Sequence, residues 1–354
     1  MNNSYKIQFS DGITSIDRIA AIFERNDNYK SRADLSWQYL DTPGGGHITA
    51  FAVAPNGQDA AVYSIFLVPF LLNGQRILAA QSLDTLTDKN HRGQGLFTLL
   101  AKAVYNRCTE KNIQFVYGFP NSSSGPGFFG KLDWQELGAP PFLIKVMNFG
   151  YLIRRITKGK FNLDIPNIFS GPFSIEKKPS PEKNYSVSAI SRFDETYDQL
   201  WERSTARNKV TIDRTSQYMN WRYADCPRKD YKIIAVHKNG VLEALCVSTI
   251  RKKHGGTIGY IMDVVHDPEA PLATKLALQS ALKNMKKQGT DVTLAWSFDN
   301  TDSYALYMTQ GFRKLPRSLQ PIKLFFGVKD TSKTLISDIH PGDFFISYAD
   351  SDTV

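Results

Sequence analysis

Read for hydrophobicity alone, the chain sets apolar segments at about 47 to 54, 60 to 72 and 76 to 87, parted by Asn56-Gly57 and Asn73-Gly74. Asn-Gly between apolar runs signals a hairpin, because both residues tolerate positive φ. The spacing predicts an antiparallel meander. From Leu96 to Lys111 the period changes: leucine, alanine and valine recur at three and four residues, which predicts a helix. A short strand over Gln114 to Tyr117 comes next. The same succession returns later, with apolar segments at about 232 to 237, 241 to 250 and 257 to 265, a helix over Leu272 to Lys287 and a strand over Asp291 to Ala295. Further helices are expected in front of each copy, near Ser15 to Arg25 and Phe193 to Ala206.

This is an internal repeat, and residue identities support it. Trp37-Gln38-Tyr39-Leu40-Asp41-Thr42-Pro43 recurs as Trp221-Arg222-Tyr223-Ala224-Asp225-Cys226-Pro227. Phe119-Pro120-Asn121, followed by Phe128-Phe129 and Leu132-Asp133-Trp134, parallels Phe298-Asp299-Asn300, followed by Leu306-Tyr307 and Gln310-Gly311-Phe312. The fold class expected is α+β, in two tandem domains, each a mostly antiparallel twisted sheet flanked by helices. Residues 1–150 are read as the first domain, 151–184 as a connecting segment and 185–354 as the second domain. The tail, Asp343-Phe344-Phe345-Ile346-Ser347, is read as one late strand.

Size and charge narrow the partners. A chain of 354 residues with 42% hydrophobic content fills two cores. The run Ala60 to Leu72, broken by Ser64 and Pro69, falls short of the roughly 20 residues of a membrane helix. The N-terminus, MNNSYKIQFSDGI, lacks the charged-then-apolar layout of a signal peptide, so a cytoplasmic location is expected. Cys108, Cys226 and Cys246 match no metal or redox spacing, and no metal is expected. A net charge of +9 favours anionic partners. No basic face interleaved with aromatics points to nucleic acid. Arg154, Arg155, Lys158 and Lys160 cluster mid-chain, and the tail after Asp330 is acidic.

The stretch Asn90-His91-Arg92-Gly93-Gln94-Gly95-Leu96 carries the chemistry. It comes after a strand and opens a helix, where the first backbone N–H groups lack helical acceptors and attract phosphate. Arg92 adds a cation. The dinucleotide fingerprint fails, because Thr98 stands at its third glycine, and a Walker loop fails for want of Gly-Lys-Ser/Thr. In the repeat the loop reads His266-Asp267-Pro268-Glu269-Ala270-Pro271-Leu272, without glycine and with two carboxylates. Phosphate binding is expected in the first half only.

The first loop resembles the pyrophosphate loop of the GCN5-related N-acetyltransferase superfamily, with Asn90 where Arg or Gln is common and Arg92-Gly93 retained. The resemblance implies an N-acyltransferase with acetyl-CoA or a longer acyl-CoA as donor, held by Arg92, Gly93, Gln94, Gly95, Leu96, Phe97 and Phe128, with backbone amides near Leu86 and Thr87 facing the thioester oxygen. Asp84-Thr85-Leu86-Thr87, Phe119-Pro120-Asn121 and Ala349-Asp350-Ser351-Asp352 are similar to tandem-domain sugar N-acyltransferases of bacterial surface-polysaccharide synthesis, and imply a nucleotide-linked amino sugar as acceptor. Lysine or small-amine acylation, and a non-catalytic acyl-CoA-binding protein, are the alternatives. Self-association is left open.

Amine attack on a thioester needs a base for the ammonium proton and donors for the developing oxyanion. Asp84, inside an apolar strand that ends at the loop, is either that base or an ion-paired aspartate. Asp263 holds its place in the repeat and is either structural or turned toward the acceptor. Asn121 is read as a hydrogen-bonding site residue; its alternative is an Asx-turn before Ser122-Ser123-Ser124. His91 is either a phosphate ligand or a solvated loop histidine. Many relatives carry a tyrosine at the position of Phe129 that protonates the departing thiolate; Tyr307 holds it in the second half. Arg222 is a candidate for a sugar-nucleotide diphosphate, with Arg154 and Arg155 as competitors. Asp350 and Asp352 are candidates for the acceptor's amine, or part of a solvated acidic tail.

Overall fold

The computed structural model describes residues 5–151, 184–205, 208–227, 230–253, 255–299, 301–320, 322–332 and 339–351. Residues 152–183 of the connecting segment, with Arg154, Arg155, Lys158 and Lys160, and the sites Asn300 and Asp352 lie outside the described residues. The chain forms two compact units, and neither is a continuous piece of sequence. One unit holds Met1–Pro140, Lys209–Lys229 and Pro321–Phe344; the other holds Pro141–Asn208, Asp230–Gln320 and Phe345–Val354. The units therefore do not keep to linear boundaries near 150 and 185.

In the first unit the elements run β1 (Lys6–Ser10), α1 (Gly12–Arg25), α2 (Arg32–Tyr39), β2 (His47–Val53), β3 (Asp59–Leu72), β4 (Gln75–Thr87), α3 (Leu96–Glu110), β5 (Phe115–Gly118), α4 (Gly125–Lys131) and β6 (Gln135–Gly138). The meander and the helix after it match the sequence pattern closely. Asn73 and Gly74 both take positive φ, and Leu72 pairs with Gln75 across the two-residue turn. β3 is buried at nearly every residue, so its long, mostly apolar run is that of a strand covered on both faces. Along α1, Ile16, Ile19, Ala20 and Phe23 are buried at helical spacing. Leu100, Ala101 and Val104 of α3 are fully buried against the sheet; burial of each leucine or valine contributes about 1.5–3 kcal/mol.

The second unit opens with β7 (Phe142–Val146), followed by β8 (Tyr185–Ile190) and α5 (Glu195–Thr205). The chain then supplies β9 (Val210–Ile212) and the short helix α6 (Ser216–Met219) to the first unit. It resumes in the second with β10 (Lys232–Lys238), β11 (Val241–Lys253), β12 (Gly256–His266), α7 (Pro271–Lys287), β13 (Val292–Trp296), α8 (Asp302–Thr309) and β14 (Arg313–Lys314), and closes the first with β15 (Phe326–Asp330). Among the described residues the first sheet has the order β1-β2-β3-β4-β5-β15-β6, with β9 on β3, and the second β14-β7-β13-β12-β11-β10-β8.

These orders show an exchange. In each sheet two parallel strands, β4 with β5 and β12 with β13, are flanked by an antiparallel neighbour from the other half of the sequence. β15 fills that place in the first sheet and β7 in the second. The late strand is thus Phe326–Asp330, and not the predicted stretch from Asp343, which forms a short turn before Phe344 bridges Val210. Tyr348 instead stacks on Trp296 at 4.3 Å between centroids in the second unit, and Asp350 is buried, its carboxylate accepting from the Ser347 amide at 2.8 Å. The acidic tail is not solvated there. The three cysteines are free and buried.

The repeated tryptophans meet within the first unit. Trp37 and Trp221 stack at 4.8 Å and 16°, and each indole N–H donates to the other's carbonyl, at 2.7 and 2.8 Å. Both indoles therefore bury their rings without an unsatisfied N–H. Arg222 is drawn into the same packing, its guanidinium carbon 5.9 Å from the Trp37 centroid and 5.5 Å from that of Tyr223. Replacing either tryptophan by alanine is expected to cost about 3–5 kcal/mol, and Trp221→Phe, which loses the N–H and one of the two fused rings but keeps an aromatic face, less than Trp221→Ala. Urea unfolding followed by near-ultraviolet circular dichroism checks the ordering.

Candidate active site

The loop after β4 is anchored before it turns. Asp88, 2% exposed, accepts from the Asn90 amide at 2.9 Å, from Arg25 Nε at 3.0 Å and from Asn26 Nδ2 at 3.2 Å. Burial opposes the charge of this carboxylate, but the Asn90 amide, Arg25 and Asn26 outweigh it and hold its pKa below the usual range. Asn26 returns a second bond, its Oδ1 accepting from the Lys89 amide at 2.9 Å. Gly93 and Gly95 then take φ of +78° and +74°, a region that costs other L-residues roughly 1–2 kcal/mol. A Cβ at either position meets nothing within 4 Å, so the space beside both glycines is open to a ligand. Gly95 is the N-cap of α3, whose first-turn amides, from Leu96 onward, have no acceptor inside the helix. Arg92, Gly93, Gln94 and Gly95 are exposed and Leu96 is buried beneath them. His91 lies beside the loop with Nδ1 2.9 Å from the Tyr5 hydroxyl.

The sheet opens next to this loop. β4 and β5 pair only at Ala80 with Val116 and Gln81 with Tyr117, and then separate. β4 carries a bulge where Asp84 and Thr85 face one residue fewer on β3, with Asp84 at φ +48°. Beyond the bulge the Asp88 amide donates to the Ala60 carbonyl at 2.9 Å. Antiparallel alternation then turns the Leu86 amide toward β3 and the Thr87 amide away from it, to the side where β5 has departed. Of the two amides expected to face the thioester, Thr87 alone is so directed.

Other sequence-predicted residues fall into four groups. Asp84 is buried with both oxygens engaged, one by the Lys30 ammonium and the other by the Tyr39 hydroxyl at 2.8 Å; it is an ion-paired aspartate. Asn121 forms the Asx-turn: its Oδ1 accepts from the Ser123 and Ser124 amides at 2.9 and 3.1 Å, shaping the entry to α4. Phe97 and Phe128 meet edge-on at 5.1 Å, and Phe129 packs on Phe325 at 5.9 Å. Arg222 and Asp263 are buried inside their own units and open to no surface ligand. Asp263 is fully buried, its charge acting on Cys246 and Tyr307, whose ionisation burial chiefly suppresses.

The repeat also exposes residues that spacing had not singled out. Arg203 Nε pairs with Asp267 at 2.6 Å, and Asp267 accepts from the Glu269 amide at 2.9 Å, as Arg25 and Asp88 do in the first unit. Each guanidinium also donates to a strand carbonyl: Arg25 to Asp59 at 2.5 Å, Arg203 to Leu242 at 2.8 Å. The clamp is common to both units. The helix beyond it is not, for α7 starts at Pro271, which has no N–H to offer. The recurrence of an arginine and an aspartate at matching places in the two copies was the available signal.

An exposed Arg-Gly-x-Gly turn at a helix start, beside two parting parallel strands, is the geometry on which comparison with known proteins bears. Residues 10–137 match the acetyltransferase (GNAT) domain. The GNAT domain is an acyl-CoA-dependent N-acyltransferase domain, so the chain is an enzyme of that class with acyl-CoA as donor. Its fold is also similar to that of N-myristoyltransferase from Saccharomyces cerevisiae with bound myristoyl-CoA, at TM-score 0.57 and 14% identity over 93% of this chain and 83% of that one. A GCN5-related N-acetyltransferase from Anabaena variabilis gives TM-score 0.64 and 10% identity over 92% and 73%. A probable N-acyltransferase from Enterococcus faecalis gives TM-score 0.63 and 10% identity over the same shares. No curated protein matches in sequence. These likenesses of fold run over residues of both units. Among the described residues no helix is long and apolar enough to cross a membrane.

Replacing Gly93 and Gly95 together by valine is expected to abolish the heat of coenzyme A binding in calorimetry while the far-ultraviolet spectrum stays unchanged. A second expectation concerns pH. Because the pKa of Asp88 is depressed in the folded chain, its stabilisation of the loop is present above the ordinary aspartate pKa of about 3.9 and is lost as pH falls through the lower folded value. Coenzyme A affinity measured from pH 7 down to 5 should therefore show no loss due to Asp88, whereas Asp88→Ala should weaken it at every pH.

Proposed function

We propose that this enzyme transfers an acyl group from coenzyme A to the amino group of a sugar carried on a nucleotide. The observation that carries the acyl-transfer part is the exposed turn Arg92 to Gly95, anchored by Asp88 and set beside the parting of β4 and β5. Backbone amides at the start of α3 and the Arg92 cation receive the pyrophosphate of the coenzyme. Gly93, Gln94, Gly95, Leu96, Phe97 and Phe128 line its path, and the thioester enters the opening between the strands. There the Thr87 amide donates to the carbonyl oxygen as it becomes negative. Asp84 takes the proton of the attacking amine. Its carboxylate already receives a primary ammonium, that of Lys30, which the acceptor's amine displaces. The carbon–sulfur bond breaks and the thiolate leaves, with Phe129 in place of a tyrosine acid.

A nucleotide-linked amino sugar as acceptor is supported by the resemblance of Asp84 to Thr87 and of Phe119 to Asn121 to sugar N-acyltransferases, and by a net charge of +9 that suits two phosphorylated substrates. The Lys30 ammonium on Asp84 favours a second reading, acylation of a protein lysine, because it shows that a lysine side chain fits this carboxylate. A thiol-release assay with acetyl-CoA separates them. Free thiol appearing only with an amino-sugar nucleotide is the expected result; release only with lysine peptides would establish the second reading.

A further inference from the structure

We infer that the Ser82 hydroxyl is a positioned hydrogen-bond donor to the thioester group as negative charge builds on it, its direction fixed by a buried chain of hydroxyls through Tyr63 and Tyr105 to the Trp134 indole. The inference rests on the acyl-transfer reading above. Ser82 and Gly118 are the next residues on β4 and β5 after their last paired positions, so the opening between the strands begins with them. A Cβ on Gly118 would stand 3.5 Å from that of Ser82, which places the serine at the apex of the opening on the face toward Trp134. Ser82 is half-buried, whereas the three aromatic residues behind it are buried.

The direction of the chain is set by its far end. The Trp134 Nε1–H only donates, and it does so to the Tyr105 hydroxyl oxygen at 2.8 Å. Tyr105 must then place its own proton on the Tyr63 oxygen, 2.8 Å away, because the reverse arrangement leaves a buried hydroxyl proton without an acceptor. Tyr63 in turn donates to Ser82 Oγ at 2.9 Å. With its oxygen already accepting, Ser82 turns its proton into the opening. Burial pushes the pKa of both tyrosines up, so they remain neutral donors throughout the working range. The chain ends at an indole that does not release its proton. Ser82 therefore stabilises charge and keeps its proton; the thiolate is protonated from water.

Steady-state kinetics with acetyl-CoA and the acceptor, together with calorimetry of coenzyme A binding, test this. Ser82→Ala is expected to lower kcat roughly a hundred- to a thousandfold, the scale of losing one such donor, with coenzyme A affinity and KM for acetyl-CoA unchanged and Ser82→Thr restoring part of the rate. Tyr63→Phe should lower kcat less, and have no further effect in the Ser82→Ala background. A Ser82→Ala enzyme with unaltered kcat, or one that loses coenzyme A affinity in step with kcat, overturns the assignment while leaving acyl transfer intact. If the unaltered protein neither binds coenzyme A nor releases thiol, the acyl-transfer reading itself falls, and this inference with it.

Discussion

A guanidinium clasping a carboxylate, Arg25 on Asp88, is the interaction on which the geometry of the loop after β4 depends. A turn that keeps its backbone N–H groups outward is not self-supporting, because the helix it opens provides no acceptors for them. The clamp supplies the missing rigidity from below. It ties the last residue of the first helix to the end of the central meander, and the Asp88 carboxylate closes the tight turn through the Asn90 amide. The same clamp in the second unit, Arg203 on Asp267, supports a loop without the glycines. Its first duty is therefore to the fold, and the exposed glycine turn of the first unit stands on an anchor that both units share.

The parting of β4 from β5 is the second requirement, and here the strand exchange matters. β5 is held on its far edge by β15, to which it pairs over four positions, against only two with β4. The bulge at Asp84 re-aims β4 over the same stretch, and Lys30 and Tyr39 hold the aspartate there. The second sheet repeats the device, with a register shift between Val247 and Ser248 opposite Asp263. In that unit the aspartate is fully buried and the loop beyond it starts its helix with proline, so the shared skeleton persists where the glycine turn does not.

Much of this was legible in the sequence. The alternation and the Asn-Gly turns determined the two meanders, the period of three to four determined α3 and α7, and Gly93 and Gly95 marked the turn that opens α3, because these features are local: each depends on residues within one turn or one hairpin. The repeated Trp-x-Tyr showed that the architecture was doubled. Tertiary structure alone decided that β7 completes the second sheet and β15 the first, since each pairs with an edge far from it in sequence. It alone decided that Arg222 and Asp263 are inside and that Asp84 is paired with Lys30, because a charge at a strand or helix position reads the same whether its partner, 54 residues away in the case of Lys30, is present or not. The hydroxyl chain from Trp134 to Ser82 is of the same kind: its members come from separate parts of the chain, and only the fold brings their polar atoms within hydrogen-bonding reach.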